Sequence, residues 1–334
     1  MMESEPTVRP CRLYALAILI LSILFVLGLM AGSRWVSLSS LWAALNGGGD
    51  LLTKISVVEL RLPRNMLGML GGAALGVAGA VIQGVTRNPL ASPGLTGVIA
   101  SAALAVVSLR TLASPDAFWL PLMALAGGLV GGALTFVIAG RQQLQPERVV
   151  LAGIAVTSLA TAVTTGLLLV SGAEAAELYY WLAGSLMGRG WVQLELVLPW
   201  LVLPLVVLFF MHRPFKLLQL DDDLALAMGL AVGRWRLTFL LLALLVAAAL
   251  VAFTGPIVFI GLVAPHIAKR LIGSQIKHWL PLSALFGALL LLAADILARQ
   301  LAFPQELPVG MLTALIGAPW LIYLLNTKQS PRSV

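Results

Sequence analysis

Long apolar runs recur along the whole chain, separated by short segments that hold glycine, proline and most of the charge. About 20 consecutive apolar residues span a bilayer as an α-helix. By this measure the sequence predicts an all-α polytopic membrane protein with ten transmembrane helices and a transmembrane domain over 13–326. The helices are predicted near residues 13–32, 65–84, 95–112, 119–140, 149–170, 192–211, 237–254, 256–272, 280–298 and 308–325.

Composition supports the membrane class and narrows the function. Hydrophobic residues make up 60% of the 334 positions and charged residues only 10%, against about 25% charge in soluble domains. The net charge of +7 is scattered over short loops and forms no basic stripe, so nucleic-acid binding is not expected. The first apolar run exceeds the 7–15 residues or so of a signal peptide, which indicates a retained helix.

The distribution of basic residues predicts the orientation. With both termini in the cytoplasm, as tails over 1–12 and 327–334, 14 of the 21 lysines and arginines are cytoplasmic and seven are external. The positive-inside rule favours this arrangement. The seven external residues are Arg34, Lys54, Arg61, Arg64, Arg110, Arg189 and Arg299.

Two arginines in "ELRLPR" therefore oppose the usual charge bias. Arg61 and Arg64 flank a Leu-Pro pair directly before the second predicted span. Neither lipid anchoring nor folding accounts for them in the sequence, although Glu59 can neutralise one. Asp295 and Arg299 lie four residues apart near the external end of the ninth span, a spacing at which side chains pair along one helix face.

Glycines at four-residue spacing predict close helix packing. They are Gly68, Gly72 and Gly76 in the second span, and the pairs Gly127/Gly131 and Gly128/Gly132 in the fourth. Small residues at this spacing allow helix backbones to approach in lipid.

The cytoplasmic segment "TRNPLASPG" joins the second and third spans. Asn88-Pro89 and Ser92-Pro93 disfavour helix before each proline. It is either a plain turn or a constriction beside a transport pathway, because irregular backbone at membrane depth needs protein or water around it.

The longest cytoplasmic connection, 212–236, contains "LLQLDDDLALAMGLAVG". Asp221, Asp222 and Asp223 can cap a short helix and complement its dipole. Gly229 can form its C-terminal cap. The alternative is a solvated turn.

Catalytic and energy-coupling motifs are missing. The sequence has no phosphate-binding loop and no acid–base or metal-ligand cluster, so we expect no enzyme activity, cofactor or metal site. The predicted spans are poor in carboxylates, and Asp295 lies near one end of its span, whereas proton-coupled carriers need buried acids or histidines. The energy for transport must come from elsewhere, or the protein is a passive pore.

Several motifs in order resemble one family. "LRLPR", "GAALGVAGAVIQGVTRNPLASPGLTGV", "GPIVFIGLVAPHIAKRLIG", "LLLAADILARQ" and "ELPVGMLTALIGAPWLIYLL" resemble FecCD-type permease subunits of iron-chelate and vitamin B12 ABC importers. The resemblance covers nearly the whole chain and implies the ten-span type II importer fold. It also implies a bacterial inner-membrane location.

The resemblance also implies partners. Two permease subunits, identical copies or paralogues, would form the pathway in the bilayer. Two cytoplasmic ABC ATPases would drive it, and a periplasmic substrate-binding protein would deliver an iron chelate. A ferric siderophore is the expected cargo. Cobalamin or haem is the first alternative, and a metal-ion ABC permease or a secondary carrier is less expected.

Residue roles follow only from the motifs that match. Arg61, Arg64 and Arg299 match arginines that dock the binding protein. The short helix, with Asp221, Asp222, Asp223 and Gly229, resembles the element that couples to the ATPase. Asn88 and Leu90 match the cytoplasmic gate, and the fifth span would line the pathway with Thr157, Ser158, Thr161, Thr164 and Thr165.

Overall fold

The computed structural model describes residues 10–113, 119–140, 146–172 and 175–327. Within these ranges the chain is helical apart from turns and connections, and no β-strand is present. The helices are α1 (Pro10–Met30), α2 (Leu38–Leu45), α3 (Leu51–Lys54), a π-helix (Ile55–Arg61), α4 (Leu62–Thr86), a 3-10 helix (Pro93–Thr96), α5 (Val98–Ala113), α6 (Trp119–Ala139), α7 (Pro146–Val170), α8 (Ala175–Leu182), α9 (Trp191–Phe210), α10 (His212–Leu217), α11 (Asp222–Ala227), α12 (Val232–Thr254), α13 (Ile260–Ile272), α14 (Ile276–Gln300) and α15 (Val309–Thr327).

Each of the ten predicted segments coincides with a helix. In the described ranges seven helices are long and apolar enough to cross a membrane. The other three segments correspond to α5, α13 and α15, which are shorter or less apolar. The all-α membrane architecture is confirmed, while the number of crossings, the tails and the cytoplasmic termini stay predictions.

The second predicted segment begins much earlier than expected. Its helix runs without a break over Leu51–Thr86, 36 residues, through the π-helix and Pro63. Proline removes a backbone donor and usually interrupts a helix. Here the wider π turn precedes it, and the Trp191 indole donates to the Val58 carbonyl at 3.0 Å. In a π-helix, the N–H of a residue donates to the carbonyl five positions earlier, so residue 63 would pair with the Val58 carbonyl. Proline has no N–H, and the Trp191 indole supplies this hydrogen bond instead.

The eighth predicted segment begins later than expected. Gly255 adopts a φ of +70°, and residues 256–259 are not helical, so α13 starts at Ile260. The expectation that Pro256 begins the helix was wrong. A Cβ at Gly255 would stand 2.1 Å from the Trp181 carbonyl oxygen, so both the conformation and the close contact require glycine.

Helix α4 forms the centre of the bundle. It packs against α14, α13 and α12 through one continuous apolar core. A Cβ on Gly72 would lie 2.3 Å from the Gly287 carbonyl oxygen, and one on Gly76 would lie 2.1 Å from that of Ser283. The predicted close approach of glycine-bearing faces is confirmed here, with α14 as the partner helix.

Candidate functional site

Five charged residues meet at one end of the bundle: Arg61, Arg64, Asp295, Arg299 and Glu306, here called the outer cluster. Arg64 binds Asp295 in a bidentate manner, with Nε 3.0 Å and Nη2 2.7 Å from Oδ1. Arg299 Nη2 donates to the other carboxylate oxygen. Glu306 Oε2 lies 2.8 Å from Arg64 Nη1. Asp295 therefore neutralises Arg64 of α4 and Arg299 of α14. Glu306 gives Arg64 a second acidic partner.

Arg61 binds the end of α1. Its Nη1 donates to the carbonyls of Leu29 at 3.0 Å and Met30 at 2.8 Å, and its Nη2 donates to that of Arg34 at 2.8 Å. The last carbonyls of a helix have no intrahelical partner. Gly32 makes room, because a Cβ there would lie 2.6 Å from Arg61 Nη2.

Arg299 also connects α14 to α1 and α4. It donates to the Gly28 carbonyl at 3.0 Å and to Asn65 Oδ1 at 2.6 Å. The amide nitrogen of Asn65 in turn donates to the Phe25 carbonyl at 3.0 Å. The outer cluster thus holds α1, α4 and α14 together.

The three predicted docking arginines are brought together, but they are turned inward. Arg61, Arg64 and Arg299 are 6%, 8% and 4% exposed. Their docking role stays a prediction. The interpretation that folding does not account for them was wrong, since each satisfies groups within the chain. No local spacing in the sequence marks Glu306, yet it takes the neutralising role that was expected for Glu59.

A second group of charges lies at the other end of α4: Arg87, Asp221, Asp222 and Arg236, here called the inner cluster. Arg236 Nη2 donates to Asp222 Oδ1 at 3.0 Å, and Arg87 pairs with the same oxygen. Burial raises the pKa of Asp222, but hydrogen bonding and charge from Arg236, with Arg87, outweigh it and hold the pKa below its ordinary value. Asp222 therefore stays ionised and ties α11 to α4 and α12.

The predicted short helix is present as α11, and only part of its capping is as expected. Asp221 occupies the N-cap position without a side-chain cap bond, so that expectation was wrong. Gly229 has a φ of +81°, its N–H donates to Leu226, and the Leu230 N–H donates to Ala225. This is a Schellman ending, as predicted for Gly229.

The predicted gate segment is a stiff turn. Asn88 Oδ1 accepts from the Leu90 N–H at 2.9 Å, and the Ala91 N–H donates to the Asn88 carbonyl at 3.1 Å. Arg87, directly before it, has a left-handed φ of 52°. These bonds lie beside the inner cluster, through which Arg87 joins the turn to α11. A gate role for Asn88 and Leu90 stays a prediction.

The predicted pathway hydroxyls do not all share one face of α7. Ser158, Thr161 and Thr165 are exposed, and Thr157 is half-buried. Thr164 is buried, and its hydroxyl donates to the Ala160 carbonyl at 2.7 Å. Three of the five can therefore face a pathway or a partner, while Thr164 faces the bundle.

Two cavities open beside the outer cluster. The larger, about 520 Å³, lies between α5, α8, α9 and α12. The smaller, about 370 Å³, is lined by the arginines of the outer cluster. Met187, Gly188, Arg189 and Gln193 line both cavities, so the two share a wall. Among the described residues, no group of three or more His, Cys, Asp or Glu side chains could hold a metal ion.

The buried apolar bundle, with charged clusters at both ends, defines a polytopic membrane permease. The chain belongs to the FecCD transport family, whose profile matches residues 20–327. Permeases of this family serve ABC importers, work with ATPase and binding-protein partners, and are not themselves enzymes. The family resemblance stated from the sequence is confirmed.

Individual relatives cover nearly the full length. The chain is 37% identical to the Fe(3+)-citrate import system permease protein YfmE of Bacillus subtilis, over 95% of this chain and 96% of that protein. It is 40% identical to the ferric enterobactin transport system permease protein FepG of Escherichia coli, over 89% and 90%. A metal-chelate type ABC transporter in an inward-facing conformation superposes with a TM-score of 0.84 at 29% identity, covering 96% of this chain and all of that one.

Proposed function

We propose that this protein is the permease subunit of a bacterial inner-membrane ABC importer that moves a ferric siderophore into the cytoplasm by alternating access. A second permease subunit, two cytoplasmic ATPases and a periplasmic binding protein complete the machine. Family membership supports the class, and the relatives that transport iron chelates support the cargo. The positive-inside bias supports cytoplasmic termini.

The observation that carries the coupling part of this proposal is the shape of α11. Its buried face holds Ala225, while Leu224 and Met228 are 52% and 57% exposed on the other side. Asp221 and Asp223 are exposed beside them. A short apolar ridge flanked by acids suits the cleft of a partner ATPase. The Asp222 ion pairs would transmit its movement to α4 and α12.

Asp221 provides a test of coupling. Asp221→Lys reverses an exposed charge at the N-cap of α11, so we expect weaker attachment of the ATPase with normal membrane insertion. Arg213→Glu is the matched control, because it reverses an exposed charge in the same cytoplasmic segment outside the inner cluster. Equal ATPase co-purification for wild type and Asp221→Lys would exclude this coupling surface.

The exposed face of α7 supports the pathway part. Ser158, Thr161 and Thr165 lie at spacings of three and four residues, which places them along one helix face. Facing a second permease subunit, they would give a mildly polar wall with little affinity of its own. Asn88 and Leu90 would close that pathway near the cytoplasm.

Docking of the binding protein belongs at the rim around the outer cluster. Arginine matches a carboxylate in two hydrogen bonds. Because Arg64 is already paired with Asp295 and Glu306, an incoming carboxylate would have to compete with Glu306, whose side chain is 27% exposed. Glu306→Gln should therefore tighten docking if Arg64 contacts the binding protein, as measured by surface plasmon resonance at several salt concentrations. Unchanged docking would exclude direct contact by Arg64.

Transport itself is tested in liposomes. The permease is reconstituted with its ATPase, and the binding protein is supplied with a radioactive ferric chelate. We expect uptake only with ATP, binding protein and an active ATPase. An inactive ATPase variant is the control. Uptake without any ATPase would overturn the proposal and favour a secondary carrier.

A further inference from the structure

Arg189 differs from the other arginines that line the two cavities. It lies in the connection between α8 and α9, half-buried in the wall shared by the two cavities. Its Nε is buried without a hydrogen-bond partner, and no ion pair reaches its guanidinium from the described residues. A charge that is partly removed from water and has no ion-pair partner gains no stability from that burial, so folding alone explains this position poorly.

The surroundings of Arg189 add positive charge instead of compensating it. Burial lowers the pKa of Arg189, and the charge of Arg110 lowers it further. Arginine nevertheless remains protonated in proteins. Arg110 has a counter-ion of its own, Glu177, at 3.5 Å. α9 also begins at Trp191, two residues beyond Arg189, and the N-terminal end of a helix favours anions.

Positive charge is in excess over the whole outer vestibule, the name used here for the two cavities together. Two glutamates line it, Glu177 and Glu306, with Asp295 behind the outer cluster. The arginines that line it are Arg61, Arg64, Arg110, Arg189 and Arg299. All but Arg189 are bonded to carboxylates or carbonyls of this chain.

The larger cavity has the size and walls of an organic-ligand site. Its volume of about 520 Å³ falls within the range of about 300–1,000 Å³ typical of small-molecule sites. Tyr180, Trp181 and Phe253 supply aromatic walls, and Val106 and Leu178 supply aliphatic ones. An inorganic anion would leave most of this apolar surface uncovered.

We propose that the outer vestibule binds an anionic ferric chelate, and that Arg189 receives its negatively charged group. This deepens the proposed transport function and rests on it. The binding protein would release the chelate into the vestibule, where aromatic walls cover its organic part and Arg189 pairs with a carboxylate or a similar anion. Chelates without net negative charge would gain nothing from Arg189.

Binding is measured with ferric citrate as the probe. The permease–ATPase complex is placed in phosphatidylcholine nanodiscs, and radioactive iron citrate is titrated by equilibrium dialysis. Arg189→Gln should weaken binding about tenfold or more, the loss expected for one desolvated charged contact. Arg189→Lys should retain part of the affinity, because it keeps the charge and loses the planar fork. Arg34→Gln is the control, because Arg34 is exposed at the same end of the bundle and lines neither cavity.

A stability measurement separates binding from folding. Because Arg189 is unpaired, Arg189→Gln should leave the Tm of the complex without ligand unchanged or raised. A large fall in Tm would show that Arg189 supports the fold and would overturn the proposal. Equal affinity of wild type and Arg189→Gln for ferric citrate would also overturn it.

Two further binding measurements identify the chemical class of the ligand. A ferric trihydroxamate, whose three monoanionic groups neutralise the ferric ion, should bind wild type and Arg189→Gln alike, and equal weakening of both chelates would contradict the anionic class. The binding measurement is repeated in phosphatidylglycerol nanodiscs. If lipid occupies the site there and no chelate binds, Arg189 binds a lipid headgroup, and the proposal is contradicted. Energised uptake of trihydroxamate without any ferric citrate binding would leave the transport function standing and remove this inference. Failure to import any ferric chelate would instead remove the function.

Discussion

The outer and inner clusters use the same chemistry at opposite ends of one helix. Arg64 lies at the start of α4 and Arg87 follows its last residue, roughly 35 Å apart at 1.5 Å per residue. In each cluster one aspartate binds two arginines. Asp295 is fully buried, whereas the Asp222 side chain is 39% exposed.

This difference in burial matches what each cluster holds. The outer cluster joins α1, α4 and α14, which are long helices of the bundle. The inner cluster joins α11, a six-residue helix, to the ends of α4 and α12. Removing one partner of a buried pair costs about 3–5 kcal/mol, whereas exposed pairs contribute about 0–1 kcal/mol. The outer cluster is therefore suited to fixing a structure, and the inner one to a connection that can move.

Asp295→Asn should give the largest effect. It leaves Arg64 and Arg299 buried with a neutral partner, and we expect a loss of about 3–5 kcal/mol in the free energy of unfolding. The measurement is the Tm of the purified permease, together with its abundance in the membrane. Asp223→Asn is the control, since it removes an exposed aspartate from α11. An unchanged Tm for Asp295→Asn would contradict a structural role for the outer cluster.

Gly76→Ala tests the close helix contact that lies between the clusters. The new Cβ would stand 2.1 Å from the Ser283 carbonyl oxygen, so α4 and α14 would have to separate. Overpacking of this kind costs about 1–3 kcal/mol. Gly166→Ala on α7 is the matched control, because nothing lies within 4 Å of its Cβ position. Gly166→Ala should leave the Tm unchanged or raise it, because alanine favours a helix over glycine and restricts the unfolded chain. A Tm that falls equally for both variants would contradict the close contact as the cause of the effect.

The long apolar segments could be predicted from the sequence because a bilayer-spanning helix leaves a contiguous signal. The Asp295–Arg299 pair and the Gly229 cap could be predicted for the same reason, since both are local. Arg64 and Asp295 are 231 residues apart, so no local spacing reveals that they pair. Their burial results from tertiary packing, which no local pattern in the sequence reveals.

Other elements could not be predicted because the local signal was ambiguous. The sequence places Pro63 just before the second predicted span, and only the distant Trp191 indole explains how the helix continues through it. Three successive aspartates at 221–223 offered equal candidates for capping and coupling. Only the position of Arg236 singles out Asp222. Arg189 carried no motif at all, and its missing partner is visible only in three dimensions.

Asp222→Asn should have a smaller effect than Asp295→Asn. It weakens the tie between α11 and α12 and leaves Arg236, a buried side chain, with a neutral partner. Because Asp222 is partly exposed, we expect a loss of about 1–2 kcal/mol, between the surface and buried cases. Relative to wild type, ATP-driven transport should fall by a larger fraction than the Tm. A Tm loss as large as that of Asp295→Asn would remove the distinction between the clusters.

The pH dependence of the inner cluster gives the smallest effect. The folded-state pKa of Asp222 lies below its ordinary value, so its stabilisation is present above the unfolded pKa of about 3.9 and is lost as pH falls through the lower folded value. The Tm difference between wild type and Asp222→Asn should therefore stay constant from about pH 8 to pH 5 and shrink only under more acidic conditions. A difference that already shrinks near pH 6 would mean that Arg236 and Arg87 do not hold Asp222 ionised, and the tie to α11 would then respond to physiological pH.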